Sequence, residues 1–190
     1  MSASLPEVEQ IEGLITPEEI EIVPLRNTVV FPYMPQQLTA SRAPSIQAIE
    51  VAMGGDSLIG VFTQRDGGLE EPSIDDLYRV GTVAKIHRLW RMPDGSVRLI
   101  VQGVARIALG ETSQDKPFIR ARIARLEDEG DVSSMAVEAL TRTMASQFQG
   151  IIEMTSHLPE ELQVMGMNID HPGRRADFIA ANMDLQVSEL

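Results

Sequence analysis

The chain has 190 residues, 43% of them hydrophobic, which suffices for one substantial core or two small ones. Against 28 Asp and Glu there are 16 Lys and Arg, a net charge of −12 that argues against general binding to a phosphate backbone, since that binding relies on a concentrated positive field. There is no cysteine, so disulfides and thiolate catalysis are excluded; residues 1–12 lack the charged-then-apolar pattern of an export signal, and no apolar run approaches the ~20 residues that span a bilayer. A soluble, cytoplasmic protein with no membrane partner is the expectation.

Residues 1–18 are acidic, poor in aromatics and without a usable period, and are expected to form a flexible leader. Ile20, Ile22 and Val23, followed by Val29, Val30 and Phe31, favour strand, but Pro24 and Pro32 each lack the N–H that a sheet ladder needs. The pattern predicts a short strand, a kink at Pro24 and a second strand ending at Pro32, in an edge or barrel-closing place. Tyr33-Met34-Pro35, an aromatic and a methionine between prolines, suits a surface loop. A short strand is expected over residues 36–41. Pro44 then opens a helix with Ile46, Ile49, Val51, Ala52 and Met53 as its apolar stripe, and Gly54-Gly55 ends it. Residues 57–63 have the composition of a buried strand and residues 64–73 that of a loop.

Residues 80–92 alternate as a strand does, and Pro93-Asp94-Gly95 is a tight-turn signal leading into Val97, Leu99 and Val101 on one face. Gly103 should bend or bulge that second strand before residues 104–109 continue it, and residues 118–126 make the last strand. Six or seven short strands with one helix suit a small, partly open barrel or sandwich. After an acidic linker at residues 127–131 the period becomes helical. Val137, Leu140, Met144, Phe148, Ile151 and Ile152 place a helix from Ser133 or Ser134 to beyond Glu153. Pro159 can start a second helix and Pro172 a third, capped by Asp170 or His171, and Ser188-Glu189-Leu190 resembles the start of another. The expected fold is α+β: a β-rich unit over residues 19–126, then a helical subdomain over residues 132–190 that packs on the β unit or on another chain.

His87, His157 and His171 have no spacing suited to a metal, the acidic run lacks the calcium-loop pattern, and no Gly-rich phosphate loop is present. No pair of titrating groups stands out as catalytic, so neither enzyme chemistry nor a cofactor is expected. Arg120, Arg122 and Arg125, with Lys85, Arg88, Arg91, Arg98 and Arg106, could form a basic face for nucleic acid, although 4% aromatic residues leave few stacking platforms. Apolar contact is the other candidate. Recognition of unfolded chains needs adaptable hydrophobic surface, and Phe31, Pro32, Tyr33, Met34 and Pro35, with Trp90 and Met92 beside the turn, have that composition. The ordinary role of Phe31 and Trp90 would be core packing, and Met135, Met144, Met154, Met165 and Met167 suit packing better than a specific site.

These residues carry a resemblance. Pro24-Leu25-Arg26-x-x-Val29-Val30-Phe31-Pro32-x-Met34 resembles the opening motif of the amino-terminal domain of Lon proteases, ATP-dependent AAA+ enzymes that degrade damaged proteins. Ser45-Ile46-x-Ala48-Ile49-Glu50, Tyr78-x-Val80-Gly81-Thr82-Val83-Ala84-x-Ile86, Asp94-Gly95 with Val101, Gly103 and Arg106, and Pro172-Gly173-Arg174-x-Ala176-Asp177-Phe178-Ile179-Ala180-x-Asn182 are similar to the family in the same order. The resemblance implies a PUA-like β unit, no cofactor, and a role in engaging unfolded, damaged or degron-bearing proteins and supporting a hexamer of Lon subunits. It also implies that the ATPase and serine-lysine protease domains lie elsewhere, since Lys85 and Lys116 are in nothing resembling the protease motif. A PUA-like module that binds nucleic acid, or a stand-alone Lon-like domain, is the alternative.

Overall fold

The computed structural model describes residues 14–155, 158–159, 161–183, 185 and 187. Most of the expected leader, His157 and Ser188-Glu189-Leu190 lie outside the described residues. The chain divides into two compact units between Leu126 and Glu127. The first holds strands β1 (Glu19–Leu25), β2 (Pro35–Ala40), β3 (Leu58–Thr63), β4 (Val80–Arg91), β5 (Val97–Gln114) and β6 (Arg120–Arg125), with helix α1 (Ala43–Met53). The second holds α2 (Met135–Met154), α3 (Glu161–Met167) and α4 (Pro172–Asn182). The class is α+β, as expected. Among the described residues no helix is long and apolar enough to cross a membrane.

The β unit closes on itself. Around the ring β5 pairs β4, β4 pairs β3, β3 pairs β1, β1 pairs β6, and β6 returns to β5, while β2 lies outside the ring against the first half of β5. All these pairings are antiparallel except β1 with β3, which the crossover through β2 and α1 makes parallel. β5 is long enough to serve both β2 and β6 because it bends: Val83 faces Ala105 and Ala84 faces Gly103, so Val104 is an extra residue beside the expected glycine. The hairpin also forms where expected. The Met92 N–H donates to Ser96 O at 2.9 Å, and Gly95 has φ of +83°, a conformation glycine adopts without steric cost.

β3 is buried along its whole length, which explains a run with no polar alternation. Ile59 and Val61 face a cluster with Val23, Leu25, Leu99 and Val101; Leu58 and Phe62 face a second with Ile20, Ile22 and Ile107. α1 covers the first cluster with Ala48, Ile49 and Ala52, together with Ser45, whereas Val51 and Met53 from the expected stripe are exposed. The stripe is narrower than hydropathy alone suggested, because only one side of the helix has a sheet beneath it.

The opening segment departs from the expected pair of strands. β1 runs without interruption through Pro24, which sits opposite Phe62 of β3. Pro24 is tolerated because β6 pairs only with residues 19–21 of β1, so no ladder partner on that side asks for its missing N–H. The second strand, residues 29–32, does not form; there the chain makes one isolated bridge, between Pro32 and Gly103. Pro35 belongs to β2 rather than to the loop.

In the helical unit α2 starts where expected, with Ser134 as N-cap accepting from the Val137 N–H at 3.4 Å. His171 caps α4 and its Nδ1 accepts from the Arg174 N–H at 3.4 Å. Among the described residues the buried apolar side chains here are Phe148, Ile152, Phe178 and Ile179, and the two phenylalanines meet edge to face at 6.4 Å. Gly166 lies beside them, where an added Cβ would come 3.3 Å from the Phe178 ring.

Candidate functional site

The segment between β1 and β2 is a loop whose carbonyls are held by buried polar side chains of neighbouring strands. Thr63 Oγ1 donates to Thr28 O and Thr82 Oγ1 to Val30 O, each at 2.6 Å, and Gln102 Nε2 donates to Tyr33 O at 3.4 Å. Gln102 is positioned in turn by His87, whose Nε2 lies 3.0 Å from Gln102 Oε1. Backbone bonds complete the clamp: the Tyr33 N–H donates to Gly103 O at 2.8 Å, and the Gly103 N–H to Met34 O at 3.1 Å. Gly103 is required for this approach, because a Cβ there would fall 2.2 Å from Phe31 O. Tyr33 takes a positive φ of +64°, an uncommon conformation for an aromatic residue, and the surrounding bonds hold it there.

The clamp sorts the candidate contact residues. Phe31 is 8% exposed and Pro32 is also buried, so these side chains face inward. Tyr33 is half-buried against the second core cluster, and Met34 and Pro35 are half-exposed at the same rim. Trp90, for which core packing was the ordinary reading, is 45% exposed on β4, and Met92 is half-buried at the turn. Beside them Asp94 accepts from both the N–H and the hydroxyl of Ser96, which holds its carboxyl below the usual carboxylate range. The two candidate patches are separate. Pro35 pairs with Gln102 and Trp90 with Arg98, four residues apart on β5 and therefore about 13 Å along the strand.

Three of the eight basic candidates, Arg91, Arg120 and Arg122, lie beside carboxylates. On β6 and β1, Arg120 lies 3.7 Å from Glu21 and 3.9 Å from Glu19, and Arg122 lies 3.6 Å from Glu19, as cross-strand neighbours. Arg91 pairs with Glu50 at 2.6 Å. These acids offset part of the positive field that the sequence pattern suggested. His171 is engaged as a helix cap, 3.8 Å from Asp128. Among the described residues no group of three or more His, Asp or Glu side chains comes together as a metal site. Thr63, Thr82 and Gln102 were not singled out from sequence, and His87 was weighed only as a metal ligand. Their signal was a polar residue set in an otherwise apolar strand, where burial demands a hydrogen-bond partner.

Comparison with known proteins agrees with this architecture. The model of the ATP-dependent protease La (LON) substrate-binding domain matches residues 19–190. The chain is 40% identical over 184 residues to the Lon protease of Trichlorobacter lovleyi, covering 97% of this chain and 22% of that protein. It is 40% identical over 173 residues to the Lon protease of Dictyoglomus thermophilum, covering 91% and 22%. Among solved structures, the N-terminal domain of a Mycobacterium avium complex Lon protease superposes with a TM-score of 0.74 at 16% identity, covering 90% of this chain and 86% of that one. The chain thus spans 22% of the length of the two Lon proteases, and its residues hold a substrate-binding module and neither the ATPase nor the protease module. The chain belongs to the Lon substrate-binding domain family.

Proposed function

We propose that this domain engages unfolded, damaged or degron-bearing polypeptide for an ATP-dependent Lon protease, and that it does so without chemistry of its own. The observation that supports this reading is the clamped loop: Tyr33 and Met34 are held half-exposed on a rigid support, as an apolar contact with little ordering cost. Trp90 and Met92 form a second contact, so an extended chain would bridge two weak apolar sites and gain affinity from their linkage. In the helical unit the exposed Leu140, Met154, Val164, Met165 and Met167 offer apolar surface for contact with other Lon subunits in a hexamer.

The test is a titration of the purified chain with a thermally destabilised protein, below and above that partner's melting temperature, followed by backbone amide NMR. Shifts at Tyr33, Met34 and Trp90 are expected only with the unfolded partner, and Met34→Ser combined with Trp90→Ser should weaken binding on the order of tenfold. Identical shifts with folded and unfolded partner would overturn the reading. So would silence with both partners while a short RNA moves the β6 arginines.

A further inference from the structure

β2 is a strand with one partner. Among the described residues it pairs β5 along its whole length and nothing on its other side. Two bonds fix the alternation of backbone groups along β5: the Met92 N–H donates to Ser96 O, and the Gly103 N–H donates to Met34 O. Arg98 and Ile100 therefore turn their N–H and C=O to β4, while Val97, Leu99 and Val101 turn theirs to β2. Their partners Ala40, Leu38 and Gln36 are bonded to β5, so the N–H and C=O of Gln37 and Thr39 point outward. Among the described residues nothing bonds those outward groups.

This edge is accessible. Helix α1 packs chiefly on β1 and β3, and the Gln37 and Thr39 side chains are exposed. Beside the edge lies a cavity of about 200 Å³, lined by residues 37–41 and by residues 23–26, with Leu25, Leu38, Ile49 and Leu99 as its apolar floor. The two strand edges that meet it differ. On β1, Pro24 has no N–H and its carbonyl already accepts from Arg42 Nη2 at 2.8 Å, so that edge is blunted. On β2, neither Gln37 nor Thr39 is a proline or carries a charge, and the edge stays open as a template for another strand.

We infer that the outer edge of β2 takes an extended segment of unfolded polypeptide as one more antiparallel strand, bonded to the backbone of Gln37 and Thr39. The occupant follows from the groups on offer. Two N–H and C=O pairs at alternate residues, about 7 Å apart, match the alternate backbone groups of an extended peptide. Backbone groups recognise any sequence that can extend, whereas a folded protein keeps the same groups in its own ladders. The residue opposite Leu38 would point its side chain to the cavity floor, and its two neighbours would point theirs to the exposed face beside Gln37 and Thr39. The preferred segment is therefore one apolar residue between two polar ones. The inference rests on the reading that the domain engages unfolded polypeptide, but it uses none of Tyr33, Met34, Trp90 and Met92.

The test uses the 190-residue chain and the acetylated, amidated pentapeptide Thr-Thr-Val-Thr-Thr, unmodified, N-methylated at its second and fourth residues, or N-methylated at the central valine. In the free chain amide exchange should be fast at Gln37 and Thr39 and slow at Leu38, and the unmodified peptide should slow it at Gln37 and Thr39. Methylation at the second and fourth residues, whose N–H groups face β2, should weaken binding on the order of tenfold, and methylation at the valine, whose N–H faces away, by about twofold at most. Thr39→Pro removes an N–H that β5 does not use, and should weaken binding on the order of tenfold with the β4–β5 hairpin resonances unchanged. Equal effects of the two methylation patterns, or no slowing at Gln37 and Thr39, would overturn the proposal. So would slowing there that rises with protein concentration in the absence of peptide, which would make the edge a contact between copies of this chain. Met34→Ser with Trp90→Ser should weaken capture of the destabilised protein and leave the methylation pattern intact, so failure of the apolar contacts and failure of this edge are read separately.

Discussion

The β unit and the helical unit bury apolar surface in different ways. In the β unit every strand faces partners contributed from elsewhere in the chain, and the ring closes through β6 and β5, giving two clusters of large side chains on either face of β3. In the helical unit the buried apolar residues are Phe148, Ile152, Phe178 and Ile179, while Leu140 is 68% and Met154 89% exposed. A closed sheet satisfies its backbone bonds and its core together. Short helices satisfy their backbone bonds alone, so their tertiary order depends on a few aromatic contacts. The difference places the two apolar clusters in the unit that carries the clamped loop and most of the exposed methionines in the other.

The largest expected effect breaks this comparison at its thinnest point. Phe148→Ala removes the ring that meets Phe178 and should cost about 3–5 kcal/mol. Hydrogen exchange should then show α2, α3 and α4 losing protection while Leu58–Thr63 keeps it. Simultaneous loss in both units would show a single cooperative fold and defeat the comparison.

In the β unit, Gly103→Val should cost about 3 kcal/mol, because its Cβ meets the Phe31 carbonyl, which the surrounding ladder prevents from moving aside. A lower urea midpoint with displaced Tyr33 and Met34 resonances is expected. An unchanged midpoint would mean the clamp is softer than its hydrogen bonds imply.

Smallest is Ser134→Ala, about 1 kcal/mol, confined to the start of α2. It sharpens the contrast, since amide protection should fall across Met135–Met154 with no change in β3. A matching fall in β3 would link the units.

Much of this was legible from local signals. The Pro93-Asp94-Gly95 turn, the bulge by Gly103, the Ser134 cap and the prolines opening α1 and α4 each depend on residues a few positions apart. The candidate contacts were legible only as composition. Phe31, Pro32 and Trp90 were all candidate contacts, with core packing the ordinary role of Phe31 and Trp90; Phe31 and Pro32 are buried and Trp90 is exposed, because burial depends on which distant strand lies across from each side chain. Hydropathy carries no information on that choice.

What the sequence determined by itself was the α+β class, the position of the hairpin and helix starts, and the family, because these rest on short-range periodicity, turn chemistry and motif order. Tertiary structure alone decided that Pro24 stays within β1, that Thr63, Thr82 and Gln102 hold the loop, and that the Met34 and Trp90 patches stand apart. Each of those outcomes depends on partners far away in the chain, and the ladder register and ring closure that bring them together are set by the global packing of two cores rather than by any local run of residues.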